Sequence, residues 1–107
     1  MRTDQQIYYE GEAVFTLGQA SKLLNLGLGR NRMIRYLRQW GILLARNEPS
    51  QKMIDMGYMK YGIKIIEING NKKSVPATYV TTKGLNYFER KVKRELFKII
   101  KHKQNED

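Results

Sequence analysis

The residues best suited to chemistry in this sequence are four arginines in one short segment, at Arg30, Arg32, Arg35 and Arg38. Guanidinium groups bind phosphate oxygens and the edge of guanine, so a cluster of them indicates a polyanionic partner. The chain has no acidic residue between Glu12 and Glu48, so no carboxylate one helical turn away can neutralise these charges. A charged helix face is most often only a solvated surface, but this composition favours a binding face.

Catalysis is not predicted. The single histidine, His102, lies in a lysine-rich tail, cysteine is absent, and no pair of carboxylates has a spacing that suits acid–base work. The segment from Gly27 to Gly29 lacks the preceding strand and the third glycine of a nucleotide-binding loop. We therefore expect neither an enzyme nor a cofactor or metal site.

The size and charge of the chain predict one small basic domain. It has 107 residues and a formal net charge of +10, with no apolar run near the roughly 18 residues that would cross a bilayer. No hydrophobic signal region opens the sequence. We expect a soluble cytoplasmic protein without membrane contact, with residues 1–13 as an N-terminal extension and residues 14–104 as the domain.

A first helix is predicted from Leu17 to about Asn25. Thr16 can cap it, and Gln19, three residues later, completes a capping box. Residues 25–29 contain two glycines in the few positions that a tight turn between helices requires. A second helix is therefore expected to follow at once.

The second helix, within residues 29–41, separates apolar from polar side chains. On a helical wheel an arc of roughly 120° collects Met33, Ile34, Leu37 and Trp40, which is the width of a core-facing stripe. The opposite arc collects Asn31, Arg32, Arg35, Arg38 and Gln39. These side chains suit base edges and phosphates, so this arc is the predicted DNA-reading face. Arg30 falls near the apolar arc, but it lies in the first turn and is assigned a backbone phosphate.

Two helices joined by a glycine turn, followed by a hairpin, predict an α+β winged helix-turn-helix-like domain. The hairpin is expected from Tyr58–Ile68 and Val75–Thr81, with a reversal at Asn69-Gly70. Its basic tip includes Lys72 and Lys73, which we expect to contact the DNA backbone as part of a wing.

A long C-terminal helix is predicted to start at a Thr82 cap. Its apolar stripe consists of Leu85, Phe88, Val92, Leu96 and Ile99. Phe97 and Ile100 lie off this stripe, so a homodimer through the helix is a secondary hypothesis.

Several of these motifs together resemble the carboxy-terminal domain of phage antirepressor proteins, the KilA-C or ANT domain. They are Phe15-Thr16-Leu17 through Leu24, Gly29-Arg30-Asn31-Arg32 with Leu37, Asn47-x-Pro49-x-Gln51, Gly57-Tyr58 and Thr81-x-x-Gly84. The similarity covers roughly residues 14–92. The chain departs from the family at Ser50 and Met59, where aromatic residues are common.

The resemblance implies a phage-derived regulatory module. Antirepressors usually carry a separate amino-terminal domain, so it does not imply full antirepressor activity. Duplex DNA is the predicted partner, and a protein-interaction module that binds and inactivates a repressor is the alternative. Asn47, Pro49 and Gln51 are interpreted mainly as turn-forming residues, with Gln51 able to hold the loop to the second helix.

Overall fold

The computed structural model describes residues 6–24, 27 and 29–104, with side chains as far as Lys98. These residues form a mixed α+β domain in which helices pack against an antiparallel sheet. In chain order the elements are β1 (Ile7–Tyr9), β2 (Glu12–Thr16), α1 (Leu17–Leu24), α2 (Arg30–Gln39), a 3-10 turn (Ala45–Asn47), α3 (Gln51–Asp55), β3 (Met59–Ile68), β4 (Asn71–Thr81) and α4 (Thr82–Gln104).

Helix α1 begins where the sequence predicts, because its first turn contains a complete capping box. The backbone N–H of Gln19 donates to the Thr16 hydroxyl at 3.0 Å. In return the Gln19 side-chain oxygen accepts from the Thr16 N–H at 2.9 Å. Two amides that the helix cannot satisfy internally are thereby paired. Leu17, Ala20 and Leu24 of this helix are buried.

Helix α2 has the predicted two faces, with Met33, Ile34 and Leu37 buried. Trp40, the fourth residue of the predicted stripe, is the C-cap of the helix and is only partly buried against the core. The helix ends in a Schellman motif at Gly41, whose φ of 74° suits glycine. The Gly41 N–H donates to the Arg38 carbonyl at 3.1 Å, and the Ile42 N–H donates to the Leu37 carbonyl at 2.9 Å. Most of the predicted turn at residues 25–29 lies outside the described residues, although Gly27 has the expected positive φ of 75°.

Helix α3 is a feature that the sequence analysis missed. It has five residues and buries one of them, Met53, so no apolar periodicity is long enough to reveal it. Gly57, with φ of 78°, ends the helix, and the Tyr58 N–H donates back to the Met53 carbonyl at 3.0 Å. The Gly57-Tyr58 pair is therefore a helix C-cap that turns the chain into β3.

Strands β3 and β4 form the predicted hairpin around Asn69-Gly70, and both turn residues have positive φ, as a type I′ turn requires. However, β4 begins at Asn71 rather than at Val75. Lys72 and Lys73 therefore lie within β4, opposite Glu67 and Ile66, and not in the tip of the hairpin as the sequence predicts.

The sheet has the strand order β1-β2-β4-β3, so β1 and β3 are its edges. β1 and the first residues of β2 belong to the segment that the sequence assigns to an extension, yet they pair antiparallel within the sheet. The Lys60 ammonium ties this end of the sheet to β3, since it lies 3.3 Å from a Glu10 oxygen and 3.4 Å from a Glu12 oxygen. The hydrogen bond to Glu10 is the main reason that the pKa of Lys60 is raised.

The core consists of two clusters, because alternate residues of a strand point to opposite faces. The larger cluster contains Met59 and Val80 of the sheet, Phe88 of α4, Ile42 and Leu43 after α2, and the buried apolar residues of α1, α2 and α3. Ala77 and Tyr79 contribute to a smaller cluster with Val14. Through the larger cluster, the buried face of α2 packs on α1, which in turn contacts β2 and β4 of the sheet.

Helix α4 follows β4 without a linker, and Thr81 caps it instead of the predicted Thr82. The buried Thr81 hydroxyl accepts from the Gly84 N–H at 2.9 Å and donates to the Gly57 carbonyl at 2.6 Å. A Cβ at Gly84 would overlap the Tyr58 carbonyl oxygen.

α4 has 23 residues and is therefore about 34 Å long at ~1.5 Å per residue, which confirms the predicted long helix.

No helix in the described ranges is apolar over a stretch long enough to cross a membrane.

Candidate nucleic-acid interface

All eight residues that the sequence predicts to contact DNA are exposed. Six belong to α2 and two to β4, namely Arg30, Asn31, Arg32, Arg35, Arg38, Gln39, Lys72 and Lys73. The burial of the apolar side of α2 leaves its polar arc facing outward. The structure thus brings the six α2 residues together on one helix.

The arginines of α2 have no carboxylate partner among the described residues. Every ion pair found there involves a lysine of β3 or α4. Among the same residues, neither Arg32 nor Arg35 donates a side-chain hydrogen bond, whereas Arg30 makes a long contact of 3.4 Å to Asn31. The charge of this face is therefore not compensated by the described part of the fold.

Arg38 differs from the other arginines because it holds the 3-10 turn. Its Nε and Nη2 donate to the Asn47 side-chain oxygen at 3.0 and 2.6 Å. This neutral partner leaves the charge of Arg38 in place, but it fixes the orientation of the guanidinium group. Arg38 is thus a less adaptable donor than Arg32 or Arg35.

Asn47 connects α2 to the hairpin. Its carbonyl oxygen accepts from the Thr78 hydroxyl of β4 at 2.6 Å, while its side chain binds Arg38. Beside it the Tyr61 hydroxyl of β3 donates to Glu48 at 3.2 Å. Desolvation, with a smaller contribution from Glu48, raises the pKa of Tyr61. These bonds set the position of the hairpin relative to α2.

The structure confirms that Asn47 belongs to a turn, and it adds links from Asn47 to α2 and β4 that the sequence does not predict. Among the described residues, Gln51 makes no side-chain hydrogen bond to α2. Gln51 is exposed and donates to Asp55 within α3 at 2.8 Å. The Asn-x-Pro-x-Gln stretch therefore fixes the loop mainly through its first residue.

A groove of about 390 Å³ lies between the start of α1, the start of α2, the 3-10 turn and the hairpin. Three cationic residues line it, Arg30, Arg46 and Lys64, and no acidic residue does. Sequence analysis did not select Arg46 or Lys64, because they are isolated in the sequence and only the fold brings them beside Arg30. The sole local signal is that Arg46 is a cation immediately before the loop asparagine.

Lys72 and Lys73 are neighbours in a strand, so their side chains leave opposite faces of the hairpin. One DNA surface therefore cannot contact both lysine side chains in the same way. Lys72 lies opposite Glu67 in the register, and Lys73 lies opposite Ile66.

Other kinds of site have little support. Among the described residues, no group of three or more histidine, cysteine, aspartate or glutamate side chains is placed to hold a metal ion. Phe97 of α4 is 65% exposed, while the side chain of Ile100 lies outside the described residues. The homodimer through α4 stays a prediction.

The described residues define a small basic α+β domain. Residues 7–95 match the family described as phage antirepressor protein KilAC domain, and the chain belongs to this family, which confirms the resemblance carried by the sequence motifs. Over 80 residues the chain is 31% identical to protein kilA of Escherichia phage P1. The match covers 71% of this chain but 29% of that protein, so the chain spans less than a third of this curated relative. No solved structure matches the chain at a significant level.

Proposed function

We propose that this domain is a phage regulatory module that binds duplex DNA, with α2 as the recognition helix and the β3–β4 hairpin as a wing. One observation carries the proposal: the outward face of α2 holds arginines with no carboxylate partner in the described chain, while its other face is buried. Such a face suits the phosphates and base edges of a major groove.

The residues of the interface have different roles in this proposal. Arg32 and Arg35, whose guanidinium groups bind no described side chain, contact guanine in this proposal. Asn31 and Gln39 are suited to adenine, whereas Lys72 contacts a backbone phosphate. The module acts by binding and not by catalysis.

The salt dependence of affinity tests the electrostatic part of the proposal. If about five phosphates are neutralised, log affinity against log salt should have a slope of about −4 to −5. Fluorescence anisotropy with a labelled random duplex, measured between low and physiological salt, gives this slope. A flat response would remove the duplex model.

The specific part of the proposal is tested on a site selected from a random duplex pool. Arg35→Ala should cost about 1–3 kcal/mol on that site and less on random DNA, because a base contact is lost. Lys72→Ala should weaken both duplexes alike, and Lys98→Ala, on α4, is the charge-matched control. If Arg35→Ala loses the same affinity on both duplexes, Arg35 contacts only the DNA backbone.

A repressor protein is the alternative partner, and two observations favour it. The family is named for antirepressors, and Ile63 and Ile65 of the hairpin are 69% and 63% exposed, which is typical of protein-binding surfaces. Reversing the charge of Arg32 and Arg35 should abolish DNA binding. If the same variant still captures a repressor encoded nearby, a separate docking surface serves the protein partner.

A further inference from the structure

We infer that the groove between α2 and the hairpin binds one phosphodiester of a nucleic-acid backbone, through Arg30, Arg46 and Lys64. The inference rests on the proposed function and adds Arg46 and Lys64, which the sequence analysis did not select, to the phosphate contact that it assigned to Arg30. It places a strand of the duplex between the recognition helix and the hairpin. The hairpin would then hold the backbone from one side while α2 occupies the adjacent groove.

The first argument is the charge of the groove. Its lining combines three cations with threonine, asparagine and apolar groups, and it includes no aspartate or glutamate. Across the described residues, none of the three cations lies in an ion pair. Cations gathered from three separate elements repel one another, and an anion between them removes that repulsion.

The second argument is the backbone at Arg46. Arg46 and Asn47 are consecutive non-glycine residues with φ of 61° and 62°, a conformation that side-chain-bearing residues seldom adopt. The bonds from Arg38 and Thr78 to Asn47 hold this conformation in place. Strained backbone persists where the surrounding structure enforces it, and it is concentrated at binding sites. Here the enforced conformation places Arg46 at the groove.

The third argument is the position of Arg30. A Cβ added at Gly18 would lie 3.5 Å from Cδ of Arg30, so the arginine stem lies across the first turn of α1. From there it lines the groove and not the outward arc of α2. The phosphate that the sequence assigns to Arg30 would therefore lie in this groove, where Arg46 and Lys64 would also contact it.

The test uses the full chain and a double variant, Arg46→Asn with Lys64→Gln. Asparagine tolerates the left-handed conformation at position 46 better than most residues, and position 64 is an exposed strand residue. The control, Lys93→Gln with Lys98→Gln, removes the same charge from α4, where each lysine already pairs with a glutamate. Circular dichroism and the thermal midpoint verify that both variants fold.

Affinity for a random duplex is measured for all three proteins as a function of salt. Loss of one phosphate contact should reduce the slope by about 0.9 and weaken binding about fivefold at ~0.15 M salt, whereas the control should follow the wild type. If the groove variant keeps the wild-type slope while Lys72→Ala and Arg35→Ala weaken binding, the groove is not a phosphate site and the proposed function stands. If the wild type does not bind duplex DNA, both proposals fail.

Discussion

Individual residues of the family motifs serve the fold more directly than they serve a ligand. Thr81 and Gly84, the ends of the Thr-x-x-Gly motif, allow the start of α4 to lie against the Tyr58 carbonyl. Gly57 ends α3 immediately before that carbonyl. Two motifs that are distant in sequence thus meet at one backbone contact, which explains their residue types without any binding role.

Gly84→Ala should destabilise the domain by about 1–3 kcal/mol, because the new methyl group overlaps a backbone carbonyl that cannot rotate away. Urea unfolding followed by circular dichroism measures the change. Gly18→Ala is the matched control, since its Cβ meets only an ordinary contact of 3.5 Å, and helix propensity favours alanine there. Equal stabilities of the two variants would show that the close approach at Gly84 is absent.

At the scale of elements, the sequence predicts what local patterns control. The capping box of α1, the apolar stripe of α2 and the Asn69-Gly70 turn all depend on residues within a few positions of one another, and all three were confirmed. The sequence analysis missed α3 because five residues are too few to show an apolar period. It missed the links of Asn47 because they join distant positions, such as Thr78 and Asn47, 31 residues apart. Arg46 and Lys64 were missed for the same reason.

The junction between β4 and α4 offers a direct comparison of adjacent residues. Thr81→Val should cost about 2 kcal/mol, because it removes a helix cap and leaves the Gly57 carbonyl without its buried donor. Thr82→Val, one position later and exposed, should change stability far less. Thermal unfolding of the two variants shows which threonine caps α4. A larger loss of stability for Thr82→Val would mean that Thr82 is the cap, as the sequence predicts.

Two properties of the molecule act together. The chain has a net charge of +10. In its sheet, β2 and β4 lie inside, whereas the ten-residue strand β3 lies at the edge. The outer backbone groups of β3 have no strand partner within the described sheet, and Ile63 and Ile65 beside them are exposed. Such an edge is a template for pairing with another chain.

We therefore expect mutual repulsion between the positively charged copies to oppose pairing through the β3 edge, and we expect dissolved salt to weaken that repulsion. Light scattering at rising ionic strength should reveal association of the protein without DNA, and Ile65→Lys should suppress it, whereas Lys98→Gln should not. Scattering that stays constant would mean that the twist of the hairpin alone keeps neighbours apart. If association does appear at high salt, the excess of positive charge serves colloidal solubility in addition to the nucleic-acid attraction proposed above.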